Sequence, residues 1–353
     1  MKKKSLNDIA KKLGVSKTLI SFVLNGRGDE KGISSDTQKK VLQTAKDFNY
    51  KPNHFARGLR LGKTHTIGLV VADISNKFYA KIARQVEIIA SKNNYNLIIG
   101  SSDENPEKEL ALINMLRDRQ VDGLVISTTQ KSSGIFSQMK KENYPFVLID
   151  RKLAKTLTNF VGSDNYHGAY LATSHILNNG FKRIGLLKIS PSHLSSIKER
   201  ELGYKSALKD RGMRLNTRLN RSIDFDNIRE TVRLALQEML ESPQPADAIF
   251  SLNNNITVAC LEYFNEKEIR IPQDIALVSF DDIEVFKYSC PTITAVAQSV
   301  DEMGETSVRL LMDEISNPAQ DKKQIILPVR LLERKSSGVL TNHIAKNELT
   351  NII

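Results

Sequence analysis

Residues 5–26, SLNDIAKKLGVSKTLISFVLNG, read as two short helices joined by a tight turn. Ser5 and Asp8 have the S-x-x-[DE] spacing of a capping box, so a first helix starts at Leu6. Leu6, Ile9, Ala10 and Leu13 then share one face. Gly14 falls where the chain must turn sharply and a side chain is a liability. Val15 can wedge between the helices, and Ser16 is a good N-cap for the second, whose inner face is Ile20, Val23 and Leu24. Lys17, Thr18, Ser21 and Phe22 are left pointing outward, with Ser16 and Asn25 at the two ends of the same helix. This is a helix-turn-helix pattern with an exposed recognition face. A plain helical hairpin gives the same local signal, so the neighbouring residues must decide.

They favour a nucleic-acid binder. Past a polar loop over 27–32, Ser34 or Ser35 caps a third helix with Val41, Leu42, Ala45 and Phe48 as its buried stripe, and Pro52 stops it. Formal net charge is +11, and residues 1–63, with fifteen Lys/Arg against five Asp/Glu, hold +10 of it. A basic head on a near-neutral body is an electrostatic footprint for DNA or RNA. Residues 53–61 form a short helical stretch among Arg57, Arg60 and Lys63. A helix this short is unstable alone and can be ordered by binding.

From Thr66 the texture changes to apolar runs of strand length alternating with amphipathic helices. The runs are 67–71, 96–100, 123–127 and 146–150, then 183–189, 221–223, 248–252 and 275–280. Helices fall at 78–90, 107–119, 134–140, 169–177, 199–209, 228–240 and 257–265. That order predicts two successive parallel sheets covered on both faces, hence two doubly wound α/β lobes. Residues 292–297, 300–313 and 325–331 remain to cross back between them. The tail, 335–353, carries no heptad pattern.

In open parallel sheets ligands bind beyond the carboxyl ends of the strands. Those ends carry Asp73 with Asn76, Phe78 and Tyr79 behind it, then Asp150-Arg151, Asn253 and Asp281-Asp282; Arg200 opens a helix after the 183–189 strand. Short carboxylates and amides for paired hydroxyls, arginines that fork across two more, and rings for an apolar face suit a polyol. Arg151 beside Asp150 is expected to keep that carboxylate ionised. No nucleophile, phosphate-loop or dinucleotide motif is present, and the six histidines show no metal spacing, so the reading is no enzyme, no cofactor and no metal. Cys260 and Cys290 read as small buried or half-buried thiols of a reducing compartment. The charged start lacks an apolar run and no window has membrane-span length, so a cytoplasmic protein with no membrane partner is expected.

Several motifs in one order resemble the lactose-repressor/galactose-repressor (LacI–GalR) family. They are V-S-x-x-x-I-S-x-V-L-N-G at 15–26, Tyr50-Lys51-Pro52-Asn53, Ala56-Arg57-x-Leu59-Arg60 and Gly62-Lys63-Thr64, and the likeness runs on to Arg334. The resemblance implies a homodimer that binds double-stranded operator DNA, with a head at 1–50 and a hinge helix and linker at 51–65. It implies a core at 66–334 of the periplasmic binding protein-like I type, with an N-lobe at about 66–163 and 297–324 and a C-lobe at about 164–296 and 325–334. Asn53, Arg57, Leu59 and Arg60 would enter the minor groove, Leu59 as a wedge. The cleft is similar to that of ribose-type binders, which implies a site of Asn76, Phe78, Tyr79, Asp150, Arg151, Arg200, Phe225, Asn253, Asp281 and Gln298. Leu194 stands where purine-binding relatives place an arginine, and Asn253-Asn254 where the family more often reads Asn-Asp. A repressor of carbohydrate-use genes with a sugar effector is the first reading. A purine-type corepressor, a sugar-binding protein and a sugar-processing enzyme stay open beside it.

Overall fold

The computed structural model describes residues 5–50, 63–153 and 156–338. They form two compact units, one up to Thr64 and one from His65.

The first unit holds α1 (Leu6–Leu13), α2 (Lys17–Leu24) and α3 (Ser35–Asp47). The capping box is complete: Asp8 N–H donates to Ser5 Oγ at 3.4 Å and Ser5 N–H to Asp8 Oδ2 at 2.7 Å. Gly14 turns with φ 64°, and Ser16 Oγ accepts from Leu19 N–H at 3.1 Å. Ile9, Ala10, Ile20, Val23, Val41 and Ala45 close the core. Two expectations change. Leu42 is 51% exposed, and Thr44 is buried instead, because the inward stripe runs Val41, Thr44, Ala45 at helical spacing. The third helix ends at Asp47, ahead of Pro52: Asn49 enters the left-handed region (φ 46°) and Tyr50 N–H closes back on the Ala45 carbonyl at 2.8 Å. Pro52 and the hinge lie outside the described residues.

The second unit is two stacked α/β lobes. Strands β1 (Thr66–Val71), β2 (Asn96–Ser101), β3 (Gly123–Ile126), β4 (Phe146–Ile149) and β5 (Asn159–Ser163) build the N-lobe. They alternate with α4 (Lys77–Lys92), α5 (Pro106–Asp118) and α6 (Gly134–Lys141). The C-lobe follows with β6 (Ile184–Ile189), β7 (Asn220–Ile223), β8 (Ala248–Ser251), β9 (Ala276–Phe280) and β10 (Thr294–Gln298). Its helices are α7 (Asn165–Asn178), α8 (Ser195–Asp210), α9 (Ile228–Leu240) and α10 (Asn254–Glu266). The chain then returns as α11 (Val300–Ser316) and β11 (Gln324–Leu327) and ends on β12 (Val329–Leu332). Sheet orders are β11-β5-β4-β3-β1-β2, all parallel, and β12-β10-β9-β8-β6-β7, parallel except for β12. Sheet residues such as Leu69, Val125, Val147, Leu277 and Val278 are fully buried, as two-sided coverage requires. Close approach of α7 and α8 depends on Gly203, where a Cβ would stand 2.1 Å from the Tyr166 carbonyl oxygen.

Crossings fall after Ser163, at Ser299 and at Pro328, so the expected lobe boundaries at 297 and 325 move by a few residues. The run 325–331 is not one strand. Pro328 has no N–H for a ladder and divides it between the two sheets. β5 was not expected, since NFVGS has only two apolar residues. The start of the expected tail belongs to the C-lobe: Ser336 and Ser337 are fully buried, and Ser336 Oγ donates to the Leu277 carbonyl at 2.5 Å. Cys260 is buried, but Cys290 is exposed.

Candidate functional site

The two lobes repeat one device at their facing edges. Where β4 ends, Asp150 takes φ 64° and its N–H donates to the Val161 carbonyl at 2.9 Å. Where β9 ends, Asp281 takes φ 76° and donates to the Val296 carbonyl at 3.0 Å. Left-handed backbone at a non-glycine residue is strained, and strain of this kind concentrates at ligand clamps. Each turn aims a carboxylate into one cavity between the lobes. Asp73, Asn76, Phe78, Tyr79, Asp150, Arg151, Arg200, Phe225, Asn253 and Asp281 all line it. Gln298 does not, but its amide donates to Asp281 Oδ1 from behind. The cavity spans about 470 Å³ of space between atoms, part of it open to solvent. The lobes are closed, and polar contacts join them: Asn254 Nδ2 to Asn76 Oδ1 (2.9 Å), His193 Nε2 to the Thr129 carbonyl (2.8 Å), and Lys152 N–H to Ser195 Oγ (2.9 Å).

Several side chains have local duties. Asn76 Oδ1 accepts from Phe78 N–H (2.9 Å) and Asn253 Oδ1 from Asn255 N–H (2.8 Å), so both are helix caps and keep an amide –NH₂ for other partners. Asp73 Oδ1 accepts from Ser75 N–H and Oγ at 2.8 and 2.6 Å. Asp282 is fully engaged by a fork from Arg334. Neither cleft arginine is the open fork expected of it. Arg200 donates from Nε to Asn165 Oδ1 (2.8 Å) and from Nη1 to the Leu252 carbonyl (2.7 Å), over the face of Phe280 at 3.7 Å. Arg151 is held by Glu104, which the sequence reading missed although it lies in the polar loop just past the carboxyl end of β2.

Electrostatics follow from burial. Burial pushes the Asp281 carboxyl above its usual range and Asp150 adds to this, while Arg200 and Gln298 oppose it. For Arg151 burial works against the charge, but Glu104, Tyr79 and Asp150 outweigh it and hold the guanidinium firmly protonated. Tyr79 Oη donates to Asp150 Oδ2 at 2.8 Å and sits 3.0 Å from Ser127 Oγ. Asp150 Oδ1 and Arg151 Nε are buried with no hydrogen-bond partner, Nε standing 3.4 Å from Asp150 Oδ2 in an ion pair. Orphaned buried polar atoms in a lined cavity mark where a ligand's polar groups fit.

In the head, Ser16, Lys17 and Thr18 are exposed on α2, and Ser21 and Phe22 half-exposed. The Phe22 ring lies near two cations, Lys31 at 5.7 Å and Arg27 at 5.9 Å. Asn25 Nδ2 turns back onto the Ser21 carbonyl at 2.6 Å, a local closure of its own helix. Asn53, Arg57, Leu59 and Arg60 lie outside the described residues.

A basic helix-turn-helix unit in one chain with a two-lobed core that closes on a polar cavity defines a ligand-responsive DNA-binding regulator. Residues 5–53 match the model of bacterial regulatory proteins of the lacI family, and 173–337 the periplasmic binding protein-like domain. Catabolite control protein A of Priestia megaterium is 30% identical over 337 residues, spanning 94% of this chain and 99% of that protein. The transcriptional repressor PurR of Photobacterium profundum is 29% identical over 333 residues, spanning 94% and 98%. A LacI family regulator from Enterococcus faecium, solved with bound ribose, is 30% identical, spans 78% of this chain and 99% of that one, and superposes with a TM-score of 0.68. The chain belongs to the LacI family of bacterial transcription regulators. It is a cytoplasmic DNA-binding transcription regulator with an effector-binding core, and not an enzyme.

Proposed function

We propose that the chain represses carbohydrate-utilisation genes and is released from its operator by a small neutral sugar, a pentose in preference to a hexose. The observation that carries this is the orphaned pair, Asp150 Oδ1 and Arg151 Nε, beside the Phe78, Tyr79 and Phe225 rings. One hydroxyl accepts from the guanidinium and donates to the carboxylate, which an apolar metabolite cannot do. The small cavity suits a monosaccharide. The ribose-bound relative from Enterococcus faecium supports the same ligand class. Leu194 is buried among apolar C-lobe residues and offers nothing to a purine, which weighs against a nucleobase corepressor. On the DNA side, Ser16, Lys17, Thr18, Ser21, Phe22 and Asn25 face the major groove, and Asn53, Arg57, Leu59 and Arg60 the minor groove. A ligand that prefers the closed cleft weakens operator binding, and the operator weakens the ligand, by the same factor.

The test is operator affinity, by fluorescence anisotropy, with and without each member of a pentose and hexose panel, for wild type and Asp281→Asn. Release by a pentose in wild type and none in the variant is the expected result. Operator affinity that rises with the sugar overturns the inducer assignment, and release by hypoxanthine or guanine alone overturns the sugar.

A further inference from the structure

Glu104 lies in the loop between β2 and α5, and its side chain is only 7% exposed at the cavity wall. It takes both Nη groups of Arg151, Nη1 to Oε2 at 2.7 Å and Nη2 to Oε1 at 2.5 Å. Its backbone is unusual. Asp103 and Glu104 adopt φ 51° and 54° in succession, and neither is glycine. Two consecutive left-handed residues persist only where the surroundings over-determine them. Here Ser101 Oγ donates to Asp103 Oδ1 at 2.6 Å, Lys108 pairs with Asp103, and Glu104 N–H donates to the Ala72 carbonyl at 3.2 Å. The loop is built to aim this carboxylate at Arg151.

The consequence is chemical. A guanidinium with both Nη groups open is a ready fork for carboxylate or phosphate. With Glu104 across that edge, two of the five Arg151 N–H groups are taken, and Nε is the one nitrogen of the guanidinium without a hydrogen bond, 3.4 Å from Asp150 Oδ2 in an ion pair and on the same side as the orphaned Asp150 Oδ1. A donor beside an acceptor fits a hydroxyl. An anionic oxygen can accept from Nε but has nothing to give the carboxylate. Charge points the same way: Asp73, Glu104, Asp150 and Asp281 surround two arginines, so the wall is net acidic.

Resting on the sugar reading above, we propose that Glu104 is a specificity-determining residue: by occupying the Nη1/Nη2 edge of Arg151 with a like-charged carboxylate it denies that fork to anions, leaves Nε beside Asp150 to meet a hydroxyl, and excludes sugar phosphates and sugar acids. Rejecting a competitor with a like charge is an economical way to gain specificity. The experiment is calorimetric titration of the full chain with D-ribose, D-xylose and L-arabinose, and with D-ribose 5-phosphate and D-xylonate, for wild type, Glu104→Gln and Glu104→Ala. Wild type is expected to prefer one neutral pentose over both anions by more than 100-fold. Both variants are expected to reduce that ratio below tenfold, mainly by binding the anions more tightly. A merely structural role would weaken both ligand classes alike and leave the ratio unchanged, and that outcome overturns the proposal. Wild type binding an anion within tenfold of the neutral sugar overturns it without recourse to a variant. Wild type binding none of the three neutral sugars defeats the sugar reading, and the Glu104 assignment with it.

Discussion

Asp281 shows how a single residue can be costly to the empty protein and useful to the loaded one. Its raised pKa means the fold prefers the protonated form. A raised carboxyl contributes stability below its unfolded value and loses that contribution as pH rises through the folded value. At neutral pH the ionised group is therefore a burden on the ligand-free cleft, relieved when a hydroxyl donates to it. Asp281→Asn is expected to leave the ligand-free melting temperature at pH 7 unchanged or raised by up to about 2 °C, with the two proteins converging toward pH 4. The thermal shift caused by sugar is lost at the same time. A clearly lower melting temperature at pH 7 would show instead that Asp281 holds the lobes together. Arg200 differs in kind. Removing it strands Asn165 Oδ1 and the Leu252 carbonyl in a buried setting, so Arg200→Ala is expected to destabilise the core by about 3 kcal/mol or more in urea unfolding. It is therefore a poor probe of ligand binding, although its sequence position marks it as a site residue.

Among elements, the most legible was α2. Its cap, buried stripe and outer face follow from eight residues and one serine, because helix caps and 3.6-residue periodicity are local properties. Phe22 on that outer face stands in a position where related heads often carry arginine. An arginine forks onto a guanine edge, whereas a phenyl ring can only touch a thymine methyl. Phe22→Arg is expected to move half-site preference toward G at the facing base, read by selecting sites from random DNA with both proteins. Identical selected sites would mean the ring serves Lys31 and Arg27 rather than DNA. Less legible were β5 and the divided run at 324–332. A four- or five-residue strand holding Asn and Gly gives little periodic signal, and its place is fixed by pairing with β4 on one side and, on the other, with β11, far along the chain.

Across the whole core, one of the polar contacts that join the closed lobes links two helix N-termini from opposite lobes. Asn254 at the start of α10 donates to Asn76, the cap of α4. An aspartate at 254 would set a carboxylate against an amide oxygen already engaged by Phe78 N–H, two acceptors face to face. Asn254→Asp is expected to open the lobes, raising the ligand-free radius of gyration in X-ray scattering and weakening sugar binding about tenfold, equivalent to about 1.4 kcal/mol of population shift. Unchanged scattering would mean that His193 and Lys152 suffice to hold the closed form.

By itself the sequence determined the helix-turn-helix head, the two parallel lobes and ten of the sixteen residues that line the cavity. Each of these is written in local patterns: caps, periodicity, and the residues that follow an apolar run. Only the tertiary structure decided what those side chains are free to do. That Arg151 is answered by Glu104, that Arg200 serves the C-lobe framework, and that Asn254 reaches Asn76 are facts about pairs separated by tens to well over a hundred residues. Such pairs meet only once each lobe has folded or the two lobes have closed, and hydrogen-bond capacity is settled by the partners actually present, not by residue type alone.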